Sequence, residues 1–250
     1  MRRLLNQWTL TAEHHHPLRT GPVENPRPGP PVPVFGDSVR DVVAALRLVC
    51  GGSASASRAL RTRHPADLGP GQGTSAVLSP VGHLDPDRPS ILAGHHMLEE
   101  ARTACRQLTH NTVRADRPLN TAIRQIVAAG SRGLVQDRLL NLVTAAEALF
   151  LQRTRSPRST PTGRKAAPMA QEAARQLAGD RILDSPDAAH ISQLMRDAYR
   201  WRNAEVHGDE PATGPMHDLA GAVTDLPALA TDLERLVRRA AVKALAEAGR

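Results

Sequence analysis

Asp137-Arg138-Leu139-Leu140-Asn141-Leu142-Val143-Thr144-Ala145-Ala146-Glu147-Ala148-Leu149-Phe150-Leu151 reads as one amphipathic helix. Leu139, Leu142, Val143, Ala146, Leu149 and Phe150 recur at intervals of three and four, which gathers them on a single, wholly apolar face. Outward from this stretch the same periodicity predicts helices near 94–111, 118–130, 133–153, 166–179, 187–207 and 224–248. The last repeats the pattern with Leu233, Leu236, Val237, Ala240, Ala241 and Leu245. Upstream, Asp37–Val49 opens with cap-type residues and carries apolar residues at helical spacing. Residues 17–36 are too rich in proline and glycine for a helix interior or a central strand and read as an extended linker. Residues 51–93 have little periodicity, so a long loop, short strands or partial disorder is expected there. The fold class implied is all-α: an antiparallel helical bundle with a looser, Pro/Gly-rich N-terminal third. The divisions expected are 1–36, an N-terminal segment with linker; 37–117, an irregular region with one or two helices; and 118–250, the bundle.

Composition points the same way. The chain has 250 residues, enough for a substantial core, and 40% of them are hydrophobic. Its only aromatic residues are Trp8, Phe35, Phe150, Tyr199 and Trp201, so the apolar content is chiefly the helix formers Ala and Leu, with Val. So few rings argue against RNA-binding modules that stack bases on exposed aromatics. The formal net charge is +7, with 30 Arg against 2 Lys, and the excess is spread along the chain. A basic chain favours anionic partners, nucleic acid first. Cys50 and Cys105 have no CxxC partner, which excludes a disulfide scaffold or a cysteine-rich zinc site. No stretch approaches eighteen consecutive apolar residues, and the start lacks a signal-peptide core. A cytoplasmic protein without membrane attachment is expected.

The chemistry concentrates in Tyr199-Arg200-Trp201-Arg202-Asn203-Ala204-Glu205-Val206-His207-Gly208. A histidine passes a proton near neutral pH, and an arginine grips a phosphate through two hydrogen bonds. Arg-x4–6-His is a poor pattern alone. With 30 Arg and 11 His, roughly three histidines should match by chance, and Arg58/His64 and Arg88/His95 do match. Context separates the third pair. Ile191, Leu194, Met195, Ala198 and Trp201 form the apolar side of a helix reaching His207, and Gly208 follows where helices end in a left-handed residue. Arg200, Asn203 and His207 share one face. Arg202 lies about 140° around an ideal helix from His207, so it needs its long side chain or a distorted last turn to reach the same phosphate. Glu147 sits on the apolar stripe of the 133–153 helix and must be paired, protonated or able to reach solvent at the stripe's edge. An arginine from the 187–207 helix is the expected partner. Arg153, Arg155, Arg158, Arg164 and Lys165 fall in a proline-bearing loop without acidic residues. They are either a solvated surface or a set of phosphate contacts.

Other motifs fail. His14-His15-His16 has no second ligand cluster nearby, and His95-His96-x2-Glu99 is not in HExxH order. Gly69–Gly73 lacks the Gly-Lys-Ser/Thr ending of a P-loop, and there is no Gly-x-Ser-x-Gly elbow. No metal and no cofactor is expected.

The 137–151 helix resembles the D-x-L-x-x-L-x-x-A-x-E-A-L-F element of the Apea-like HEPN family. The order then continues as in that family: a polar loop, the alanine-rich Met169–Arg175, then Leu194-x4-Tyr199-x2-Arg202-x4-His207-Gly208 and a closing helix. The similarity covers roughly residues 118–250, with a fainter echo in Val42–Leu48. It implies a HEPN bundle, a class that includes metal-independent endoribonucleases of prokaryotic toxin–antitoxin and anti-phage systems. It implies Arg202, Asn203 and His207 as the active site; Arg200, on the face of His207, and Glu147, on the apolar stripe, are the supporting residues read from the helices themselves. It further implies RNA as substrate, a homodimer pairing two such motifs, and an antitoxin or other defence protein as partner. The 2′-OH is the nucleophile in such a reaction, so products would be a 2′,3′-cyclic phosphate and a 5′-OH end. The alternative is a catalytically inactive HEPN module serving RNA binding, dimerisation or contact with a partner protein.

Overall fold

α5 (Val135–Glu147) is the element around which the computed structural model is built. The structure describes residues 35–51, 60–61, 76–77, 95–153, 165–208 and 214–249; for 35–40, 60–61, 76–77 and His95 it describes backbone only. Leu139, Leu142, Val143 and Ala146 of α5 are fully buried, and the stripe continues into Leu149 and Phe150 on a π-helical turn, Ala148–Gln152. The helix therefore covers 135–152 of the predicted 133–153, with a change of pitch directly after Glu147. Such single-turn π-bulges arise where one residue is accommodated without ending the helix, often beside functional residues.

The other helices fall close to their predicted places, except for a separate short helix at Asn111–Ala115 that the periodicity does not predict. α1 (Phe35–Cys50), α2 (His95–Leu108), the short α3 (Asn111–Ala115), α4 (Arg117–Ala129), α6 (Ala166–Leu177), α7 (Ala188–His207) and α8 (Leu226–Ala248) complete the set. α4 and α8 pack on α5, α6 pairs with α7, and α1 pairs with α2 while also meeting α4 and α8. Ala44, Ala45 and Leu48 of α1 and Ala104 and Leu108 of α2 join the same core as Leu119, Leu142 and Leu236. The five residues between α4 and α5 suffice for a tight reversal, which makes these helices antiparallel neighbours. Many core positions are alanine, so helices pack closely with few aromatic wedges. No helix among the described residues is long and apolar enough to cross a membrane.

Local chemistry fixes the ends. Asp116 accepts from the Leu119 amide at 3.0 Å and Asp225 from the Ala228 amide at 2.9 Å, each before a proline in the first turn. Arginines close two C-termini. Arg238 donates to the Leu48 and Val49 carbonyls of α1 at 2.9 and 2.6 Å, and buried Arg47 donates to the Val127 carbonyl and to Ser131 Oγ at the end of α4. Each satisfies carbonyls that a helix end leaves without partners.

Among the described residues, two antiparallel strand pairs accompany the helices. β1 (Leu60–Arg61) pairs with β2 (Ala76–Val77), within the region where short strands were among the expectations. β3 (Met216–His217) pairs with β4 (Val223–Thr224) between α7 and α8. This second hairpin has no hydrophobic alternation to announce it. It is held by Asp218, whose Oδ1 accepts from the Ala220 and Ala222 amides at 2.9 Å each.

Candidate functional site

α7 remains an α-helix to His207, and Gly208 ends it at φ 67° and ψ 22°. The left-handed residue is at Gly208, as the sequence suggested, and the turn before it is not distorted. Side chains along α7 therefore follow the ideal 100° per residue. Ile191, Leu194, Met195, Ala198 and Tyr199 are buried, and Trp201 is half-buried. Arg196, Arg200 and His207 are exposed.

The core-facing side of the helix end carries the first cluster. Arg202 is half-buried, its guanidinium carbon 5.9 Å from the centroid of the Tyr199 ring, and Nη1 donates to Asn203 Oδ1 at 3.1 Å. The ring face and the amide together hold the guanidinium in one orientation. The Asn203 side chain also hydrogen-bonds the Tyr199 hydroxyl. Burial pushes the Tyr199 phenol above its ordinary pKa and the negative charge of Glu147 adds to this, against the opposing pull of Arg202 and Asn203. Tyr199 thus stays protonated and holds two of the predicted site residues at once.

Glu147 reaches this cluster from α5. Its Oε1 is closed off from water and has no hydrogen-bond partner among the described residues. The expected arginine from α7 does not pair with it: neither Arg200 nor Arg202 forms a salt bridge to Glu147. Its charge instead acts on Tyr199. A carboxylate oxygen without donors in this position costs free energy that the fold could have avoided with leucine.

A second cluster lies on the other side of α7. Asp197, 1% exposed, takes Gln193 Nε2 at 3.0 Å and Arg200 Nη2 at 3.1 Å on Oδ1, and the His217 amide at 3.0 Å and His217 Nδ1 at 2.9 Å on Oδ2. Arg200 Nη2 also donates to the Pro215 carbonyl at 3.0 Å. Asp197 and His217 were not singled out from the sequence. Asp197 carries the same signal as Glu147, an acid between Leu194 and Ala198 on an apolar stripe. His217 has none, because its partner is twenty residues away and joined to it only through the hairpin.

The predicted residues are therefore divided. Arg202 and Asn203 are joined, with Tyr199 and Glu147 behind them. Arg200 belongs with Asp197 and His217. His207 shares the exposed face with Arg200 and stands in the last turn of α7. In the loop, Arg153 pairs with Asp116 and Glu247 at 3.1 Å each, linking the π-turn to α4 and α8. Lys165 is half-buried ahead of α6, and Arg155, Arg158 and Arg164 lie outside the described residues. So do His14-His15-His16 and Gly69–Gly73. No group of three or more His, Cys, Asp or Glu side chains positioned for a metal ion occurs among the described residues. No family model, no curated protein and no solved structure matches the chain.

Proposed function

We propose that this chain is a metal-independent endoribonuclease of the Apea-like HEPN kind, working as a cytoplasmic homodimer in a toxin or anti-phage defence role. The observation that carries the reading is the presentation of Arg202. It is held by the Tyr199 ring and Asn203, keeps its other donors without partners among the described residues, and sits one turn from an exposed histidine.

RNA supplies its own nucleophile, so the protein has to move two protons and stabilise negative charge. His207 takes the proton of the 2′-OH as it attacks the adjacent phosphorus. The P–O5′ bond breaks as the new P–O2′ bond forms, and the leaving 5′-oxygen takes its proton from the protonated His207 or from water. Arg202, rigid and forked, binds the non-bridging oxygens as their charge builds. Asn203 and Tyr199 keep the guanidinium from reorienting. An undistorted α7 points Arg202 and His207 in directions about 140° apart. A phosphate seated on Arg202 is then served by His207 of a second copy, which takes the 2′-OH proton.

The test is cleavage of single-stranded RNA by purified dimer in EDTA, with product ends identified. The expected result is a 2′,3′-cyclic phosphate and a 5′-OH, abolished in His207→Ala while dimerisation persists. A dimer that cleaves nothing but binds RNA equally well with and without His207 supports the alternative of a silent HEPN module.

A further inference from the structure

We infer that Arg196, Arg200 and His217 form a second RNA subsite, holding a ribonucleotide away from the scissile bond; this rests on the endoribonuclease reading of the chain. Three observations support it. First, Asp197 is buried and holds two outward-facing side chains side by side, Arg200 on one oxygen and His217 on the other. Both are pre-oriented, so little side-chain entropy is lost when they bind. Second, Arg200 uses only Nη2 in these contacts, leaving Nη1 and Nε without partners among the described residues. The guanidinium lies over Gly214, at φ 123°, where a Cβ would come to 3.6 Å from Nη1 and begin to cover it. Third, Arg196 is exposed one turn earlier on the same face, with no partner among the described residues, and adds a cation that Asp197 does not offset.

The chemistry selects RNA. Arg200 and Arg196 suit a phosphate, Arg200 through its planar fork. His217 Nδ1 lies 2.9 Å from Asp197 Oδ2, which leaves Nε2 as the ring nitrogen for a ligand. A ring nitrogen beside a phosphate site suits a ribose 2′-OH, which can both donate and accept and which distinguishes RNA from DNA. Arg200 precedes His207 by seven residues, about 10 Å along the helix axis. That corresponds to roughly two to three nucleotides in a stacked strand and fewer in an extended one. The subsite therefore sets a minimum substrate length and a strand direction.

Binding is measured by fluorescence anisotropy in the full-length His207→Ala protein, with a labelled RNA of about 12 nucleotides and with a dinucleotide. Arg196→Glu and Arg200→Gln are expected to raise the dissociation constant for the longer RNA by about 5- to 50-fold, to lower its salt slope by about one, and to move the dinucleotide less than about twofold. A single 2′-deoxy substitution walked along the longer RNA should weaken binding at one position, and that penalty should vanish in His217→Phe. Arg196→Glu keeps the test valid if the other variants disturb the hairpin, since Arg196 has no partner among the described residues. Normal affinity in both arginine variants, or an equal loss for dinucleotide and longer RNA, overturns the subsite. Cleaving wild type with unaffected variants would leave the nuclease standing without the subsite. Lost affinity in Arg196→Glu from a wild type that cleaves nothing would leave the subsite without the nuclease.

Discussion

Arg202→Lys separates the two arginines of the motif and puts a number on the geometry. Lysine keeps the charge but loses the planar fork, the stacking on Tyr199 and the bond to Asn203 Oδ1. If the fork grips the phosphate as charge develops, the substitution removes at least one charge-assisted hydrogen bond, about 1.5–3 kcal/mol. At about 1.4 kcal/mol per tenfold, the rate of the chemical step should fall about 10- to 150-fold. The fold should scarcely notice. A cation over an aromatic ring contributes about 0.5–1 kcal/mol at a partly exposed site, and Tm should drop by less than about 4 °C. The assay is single-turnover cleavage of end-labelled RNA in EDTA at saturating protein, with a melting curve on the same preparation. A rate within twofold of wild type, or an equal loss of the chemical step in Arg200→Lys, would refute the assignment of Arg202 to the reacting phosphate.

Three further outcomes test the frame around the site. Gly51→Ala should destabilise by about 2–4 kcal/mol, because alanine is strained at φ 74° and its Cβ would meet the Arg238 guanidinium that closes α1; calorimetry should find Tm lower by about 5–15 °C. Burial alone would raise the pKa of Asp180, yet its bonds from Arg239, Lys243 and the Ile182 amide outweigh this and hold it below the ordinary value. Its contribution is therefore fully present above the unfolded carboxylate pKa, about 3.9, and is lost as pH falls through the lower folded value; Asp180→Asn should melt earlier than wild type at pH 6, with the gap closing below about pH 4. Glu147→Leu should raise Tm by a few degrees, about 1 kcal/mol, by removing a carboxylate oxygen without donors, while slowing RNA cleavage. A lower Tm in that variant would show that Glu147 is a structural partner instead.

The helices were legible because their signals are local. Leu139, Leu142, Val143 and Ala146 announce a buried face through spacing alone, and Asp116 and Asp225 announce helix starts within three residues. The β3–β4 hairpin was not legible. Two-residue strands carry no period, and what holds them is Asp218 folding back on its own loop, with Asp197 reaching across from another element. The partner of Glu147 was misjudged for a related reason. Electrostatic sense pairs a buried acid with an arginine, but Arg200 is already committed to Asp197 and Arg202 to Tyr199 and Asn203. One acid on α7 takes the arginine that the acid on α5 was expected to attract. That competition depends on which faces meet, which spacing within a single helix does not encode.

The regular end of α7 is what gives the two arginines different work. Had the last turn unwound, Arg202 would swing toward His207, and one chain could present both to a single phosphate. Gly208 prevents this. By taking the left-handed conformation itself, it lets every residue before it remain helical, so His207 stays on the face of Arg200 and Arg196 while Arg202 stays against Tyr199. Forcing Gly208 out of that conformation is therefore a direct probe. Gly208→Val places a β-branched residue at φ 67°, where it is strongly disfavoured, and among the described residues nothing lies within 4 Å of a Cβ added there. The last turn should then fray, freeing His207 while leaving the buried part of α7 intact. If catalysis needs His207 held at a fixed place opposite a second copy, the cleavage rate should fall by more than the melting temperature can explain. An unchanged rate would mean that the histidine needs no such placement, and the two-copy geometry would lose its main physical support.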